Sequence, residues 1–320
     1  NSGSQQNEET VIREFQEIYS NIKYIKTEKR ETVYAAWNRG IQAATGRYIT
    51  NANSDDRRRK DALEVMVNIL ETLPEISLIY ADVIITENEN ETFESCTPVG
   101  YFNWMNYNRA DLLNKGCFVG PQPMWRRDVH DEYGYFDDSF VTSGDYEFWL
   151  RISQSCIFMH LPVQLGLYLR SPGSIEHSNR EKQREENSKI FKMYKCAQSS
   201  GKIIRRLKTG LSRDYSEQSS ENIKSPDEIY RNILDPDNED ARNNLPMLDK
   251  IKGDLRADEQ PNTESLQKST SEEYSSAKKT IGVKDAPEKD IPQFSIVMPT
   301  SAPLKLIRRC VGGIKKHTSE

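Results

Sequence analysis

The chain is poor in cysteine and histidine. Five cysteines (Cys96, Cys117, Cys156, Cys196 and Cys310) in 320 residues form an odd number with no CxxC spacing. That excludes a disulfide framework and points to reduced thiols in a cytoplasmic compartment. The four histidines (His130, His160, His177, His317) add no ligand cluster, which excludes a structural zinc. No apolar run approaches the roughly 20 residues that span a bilayer, so no transmembrane segment is expected. No signal-peptide pattern opens the chain. A basic surplus is also lacking: 44 Lys and Arg stand against 49 Asp and Glu, a net charge of -5. This argues against a protein that wraps nucleic acid. Hydrophobic residues make up only 36%, so a sizeable part of the chain is expected outside any core. There is no initiating Met, and the chain reads as a piece of a longer protein.

What is present is concentrated at the N-terminal side. Val33, Trp37, Ile41 and Ala44 recur at helical spacing, with Gly46 as a stop. Arg47 to Thr50 reads as a strand running into Asn53-Ser54-Asp55-Asp56. Leu63, Val67, Leu70 and Leu73 mark a second helix before Pro74. Ile76 to Thr86 is nearly continuous and β-branched, as a strand buried on both faces requires. A helix over Asp145 to Ser153, one or two strands over Ile157 to Leu169 and a charged helix over Arg180 to Lys195 follow. Helices alternating with buried strands predict an α/β sheet flanked by helices. From about Leu207 to Asp290 the chain turns polar and reads as a linker, with a transient helix near Asp227 to Leu234. Order is expected again at Pro292 to Thr300, a buried strand, and at Leu304 to Lys316, a helix. The domain reading is 1–205 folded, 206–290 linker and 291–320 a strand–helix unit.

Three stretches could carry chemistry. Asn53 to Asp56 gathers oxygens at a strand end. They could share a hard cation against a phosphate, form a solvated turn, or let Asp56 cap the next helix. The Arg57 to Lys60 run could meet phosphate or simply be a solvated helix start. Asp145, near a helix N-terminus, suits either a general base or an N-cap. Gly134 to Phe140, with Pro121 to Arg127, Trp104, Asn106 and Tyr107, is either aromatic core or a sugar-stacking surface.

Taken in order, these segments resemble a family 2 glycosyltransferase with the GT-A fold, a Rossmann-like, mostly parallel sheet flanked by helices. Asn1-Ser2-Gly3-Ser4 resembles the loop after that family's second strand. Trp37-Asn38-Arg39-Gly40 resembles its approach to the metal motif, and Asn53-Ser54-Asp55-Asp56 stands where it has Asp-x-Asp-Asp. Gly134-Tyr135-Phe136-Asp137 resembles its Gly-x-Phe-Asp segment, and Asp145-Tyr146-Glu147 its Glu-Asp-x-Glu helix. The resemblance implies an inverting transfer from a UDP- or dTDP-sugar to a saccharide acceptor, in polysaccharide synthesis. Asp145 would be the general base, and Asp55 would bind Mg2+ or Mn2+. Asn1, Ser2, Asn38, Arg39, Asn53 and Asp55 would meet the donor, and Trp125 and Glu147 the acceptor. The implied location is cytoplasmic, or peripheral at the inner face of the membrane. Asn53 replaces an Asp of the pattern, Gly144 a Glu, and Asn1 and Ser2 acidic residues. These departures leave a catalytically silent carbohydrate- or nucleotide-binding module as the alternative. The family opens with a strand like Phe294 to Thr300. The chain therefore reads as a cut from a tandem of two such domains. Its tail could also fold back to supply the missing first strand.

Overall fold

The computed structural model describes residues 1–3, 8–171, 179–200, 204 and 294–297. Seven helices and seven strands follow in the order α1 (Glu8–Ile18), α2 (Val33–Ala43), β1 (Tyr48–Asn51), β2 (Arg57–Arg58), α3 (Ala62–Thr72), β3 (Ile76–Thr86), β4 (Gly100–Phe102), α4 (Arg109–Lys115), β5 (Met124–Arg126), α5 (Val129–Tyr133), α6 (Gly144–Ile152), β6 (Ile157–Leu169), α7 (Arg180–Ser199) and β7 (Phe294–Val297). The strands form one sheet in the order β2-β6-β3-β5-β1-β7, with β4 paired to β3. The pairings set β1, β3, β6 and β7 in one direction and the three shortest strands, β2, β4 and β5, in the other. The mixed sheet with its helices is the α/β, GT-A-like architecture expected.

The long strands sit where their apolar runs demand. β3 has nine of its eleven residues buried, and β6 pairs with it in parallel from Ile76↔Ile157 to Thr86↔Leu169, with register shifts around Asp82. All four residues of β1 are buried. Helix α2 opens on Thr32, whose hydroxyl accepts the Ala35 N–H at 3.2 Å. Trp37 and Ile41 are buried, as the stripe read from the sequence requires, but Tyr34 is buried with them, whereas Val33 and Ala44 are only partly so. Around Phe136, fully buried, the rings of Tyr34, Trp37, Trp125, His130, Phe148 and Trp149 close an aromatic cluster, with centroids 4.5–6.2 Å away. The Gly134 to Asp137 segment is therefore core.

Strand β7 pairs in parallel with β1, from Tyr48↔Phe294 to Asn51↔Val297, and the Gly46 N–H donates to Ser295 Oγ at 3.0 Å. The polar stretch 206–290 and the helix expected at 304–316 lie outside the described residues.

Candidate active site

Strand β1 is pinned at its C-terminal end. Thr50 Oγ1 donates to the Pro123 carbonyl at 2.6 Å and Asn51 Nδ2 to the Pro121 carbonyl at 2.9 Å. The loop beyond it then divides two adjacent carboxylates. Asp56 turns inward, 5% exposed, and accepts the Leu169 N–H of β6 at 3.2 Å and Asn53 Nδ2 at 2.8 Å. Burial first, then the neighbouring Asp55 charge, pushes its pKa up to about 7. Asp55 stays partly exposed, and among the described residues no hydrogen bond or ion pair holds it. Helix α3 starts only at Ala62, with Asp61 at its cap position, so Asp56 caps nothing. Nearby, Asn51 Oδ1 is buried with no hydrogen-bond partner among the described residues.

The basic run is occupied locally. Arg58 donates to Thr50 Oγ1 and the Asn51 carbonyl, both at 2.6 Å. Arg57 donates to the Asp56 carbonyl, Arg59 pairs with Asp61 and Lys60 with Glu94. This run braces the loop instead of presenting a solvated helix start.

Asp145 lies in the first turn of α6, and Ser143, not Asp145, holds the cap position. Two donors converge on Asp145 Oδ1: the Tyr34 hydroxyl from α2 at 3.1 Å and the Tyr146 N–H at 2.8 Å. Burial, then the Asp145 charge, raises the Tyr34 pKa well above its ordinary value, so the phenol remains a donor. Gly144 explains how the ring gets there. A Cβ at this position would lie 2.7–2.9 Å from three Tyr34 ring atoms. A glycine before Asp145 thus leaves the space that the Tyr34 ring fills.

The other site residues named from the sequence are spread more widely. Asn38 clamps Phe136 with both ends of its amide, at 2.9 and 3.0 Å. Arg39 is exposed and forms a bidentate pair with Glu31. The Asn1 amino group donates to the Ile25 carbonyl at 2.6 Å, and Ser2 Oγ accepts the Glu31 N–H at 2.6 Å. Trp125 and Glu147, expected at the acceptor, are instead core residues, each 1% exposed. Trp125 Nε1 donates to His130 Nε2 at 2.9 Å, and His130 Nδ1 faces the Gly134 carbonyl at 2.9 Å. That pair of contacts fits a neutral ring, and burial lowers the His130 pKa to about 4. Glu147 is bound by Arg151, which also donates to the carbonyls of Tyr133 and Tyr135, and by the Tyr194 hydroxyl at 2.8 Å. Of the aromatic loop, Tyr107 is buried, whereas Tyr101 and Phe102, not singled out from the sequence, are exposed, with Phe102 stacked on Trp104.

The stretch that contains Tyr34, Asn38, the Asn53 to Asp56 loop and the Pro121 to Pro123 anchor also matches a known family over residues 1–134. The match is to glycosyl transferase family 2. Two similar proteins carry that class in their names. The uncharacterized glycosyltransferase MJ1057 of Methanocaldococcus jannaschii is 24% identical over 45% of this chain and 48% of its own length. The uncharacterized glycosyltransferase YwdF of Bacillus subtilis is 27% identical over 46% of this chain and 54% of its own. An uncharacterized protein of Sinorhizobium fredii, y4gI, is 26% identical over 54% of this chain but only 18% of its own length. The chain thus spans about half, or less, of the curated relatives it matches. The family 2 match ends before α6, and Tyr34, a residue of the matched stretch, hydrogen-bonds Asp145 beyond it. Sequence reasoning missed Tyr34 and Glu186, described below, and it read Asp56 as a cluster member or helix cap, not as the buried partner of β6. Tyr34 could have been found from its place one turn before Trp37 and Asn38.

Proposed function

We propose that this chain moves a glycosyl group from a UDP- or dTDP-sugar to a saccharide hydroxyl, with inversion. The observation that carries the reading is the Asp145 carboxylate, set at the head of α6 and oriented through Oδ1 by Tyr34 and Tyr146. In this reading Asp145 takes the proton of the acceptor hydroxyl as its oxygen bonds to the anomeric carbon. The bond from that carbon to the diphosphate breaks on the opposite face, and the electron pair leaves with the nucleotide.

Asp55 would hold a Mg2+ or Mn2+. Among the described residues no group of three or more His, Cys, Asp or Glu could hold a metal unaided. A single available carboxylate completed by substrate phosphate oxygens is nevertheless a donor set such cations accept. When bound, the cation would neutralise charge on the departing diphosphate.

Asp145→Asn is expected to lower transfer by about 10²–10⁴-fold while nucleotide binding persists. Asp55→Ala is expected to remove the dependence on Mn2+. Release of UDP or dTDP, measured with a saccharide panel, checks both. Asn53, with its amide turned to Asp56 where the family has a carboxylate, favours a second reading, a silent binding module. Tight nucleotide-sugar binding with no turnover in the wild type would decide for that module.

A further inference from the structure

Helix α7 looks like a solvated surface helix: six of its first eight residues are charged. Yet its buried residues, Glu186, Ile190 and Tyr194, recur every fourth position and form one inward face. Ile190 and Tyr194 belong to the core, and Tyr194 reaches Glu147 of α6. Glu186 is the anomaly, a carboxylate 5% exposed with no cation bonded to it among the described residues.

Its partners are all N–H or O–H groups of the loop that leads into α6. Val141 N–H donates to Oε1 at 2.9 Å. Thr142 N–H and Oγ1 donate to Oε2 at 2.9 and 2.8 Å, and Ser143 N–H to the same oxygen at 3.0 Å. Three successive backbone N–H groups that point to one side make an anion cradle, and Glu186 fills it. Burial alone would raise its pKa, but these donors outweigh that and hold it below the ordinary value. Meanwhile Ser143, at the cap position of α6, makes no capping bond with its own side chain. The helix start is thus held from another helix, 43 residues away along the chain. Asp145 follows two positions later.

We propose that Glu186 is a positioning residue for Asp145: by filling the cradle of Val141, Thr142 and Ser143 it fixes the start of α6 and so the aim of the Asp145 carboxylate. The catalytic consequence rests on the glycosyl-transfer reading above, whereas the positioning itself does not. Misplacement by about 1 Å at a reacting group costs on the order of 10²-fold in rate. In Glu186→Gln the amide NH2 turns a donor toward donors, and the cradle can no longer close around it.

The test uses the full chain, with Ile190→Ala as a control that loosens the same helix without touching the cradle. Amide exchange is measured first. In Glu186→Gln the N–H groups of Val141, Thr142, Ser143 and Tyr146 are expected to exchange about tenfold faster or more, with β3 and β6 unchanged. The Tyr146 N–H reports on Asp145 because it donates to Oδ1. Turnover of UDP- and dTDP-hexoses with Mn2+ is measured second. kcat is expected to fall about 10- to 100-fold with donor KM within threefold, while Ile190→Ala keeps kcat within threefold well below its melting temperature. Unchanged Tyr146 exchange in Glu186→Gln, or an equal loss of kcat in Ile190→Ala, overturns the proposal. If the wild type turns over no donor, the functional reading fails, and the Tyr146 exchange alone decides the positioning.

Discussion

Asp55 and Asp56 are adjacent in the chain and live in different media. Asp56 is enclosed between Asn53 and the end of β6, and its proton is held about three pH units more tightly than a carboxylate in water, with a pKa of about 7 against 3.8. The native state therefore binds more protons than the unfolded chain between about pH 4 and pH 7. The stability that protonated Asp56 contributes is complete below pH 4 and is lost as pH rises through 7. Denaturant unfolding of wild type and Asp56→Asn, at steps from pH 4 to pH 8, checks this. The wild type's advantage should shrink by about 2–4 kcal/mol across that range. A pH-independent difference would refute it. Both aspartates and Asp145 were legible in the sequence as chemistry-bearing residues. Their division of labour was not, because it depends on a backbone N–H 113 positions from Asp56.

Between elements, α6 is held at two points. Glu186 of α7 holds its start, and a buried group holds its body: Arg151 is fully enclosed, bound to Glu147 and to two carbonyls of the α5 region, and Glu147 also accepts the Tyr194 hydroxyl from α7. Removing one partner of a buried pair strands the other charge. Glu147→Ala is accordingly expected to cost about 3–5 kcal/mol, read by chemical denaturation, and Tyr194→Phe about 1 kcal/mol. Were Glu147 instead an acceptor contact, acceptor KM would rise with stability unchanged. Long periodic elements (α2, α3, β3, α6 and β6) were readable because each carries enough apolar residues to show its period. The two- and three-residue strands β2, β4 and β5 carry no period. Their pairing is set by neighbours such as β6, where Arg57 meets Leu167. The charged stretch of α7 was read as a helix, but its inward face includes a glutamate, which a hydrophobic stripe conceals.

At the scale of the whole molecule, the sheet is closed on one side by a strand from far along the chain. Without β7, the buried strand β1 would become an open edge, with unpaired N–H and carbonyl groups and a tendency to associate. Deleting residues 291–320 should lower the melting temperature by roughly 4 °C or more and increase aggregation, as followed by calorimetry and light scattering. A truncated chain with unchanged melting and solubility would show that the pairing contributes nothing. The tail's β-strand was legible from its Phe294 to Val297 run. That it could fold back as a missing first strand came from the resemblance, but its partner β1 was not legible, since no local pattern links positions 249 apart.

That same pairing sets a schedule for synthesis. Leu169, the end of β6, stands 125 positions before Phe294. At a translation rate of about 5–20 residues per second, the earlier part of the sheet is made roughly 6–25 s before its last strand. For that interval β1 waits with one side unmatched, and any extended segment that passes by competes for it. The order of synthesis thus leaves bare, for some seconds, a strand side that the finished sheet covers.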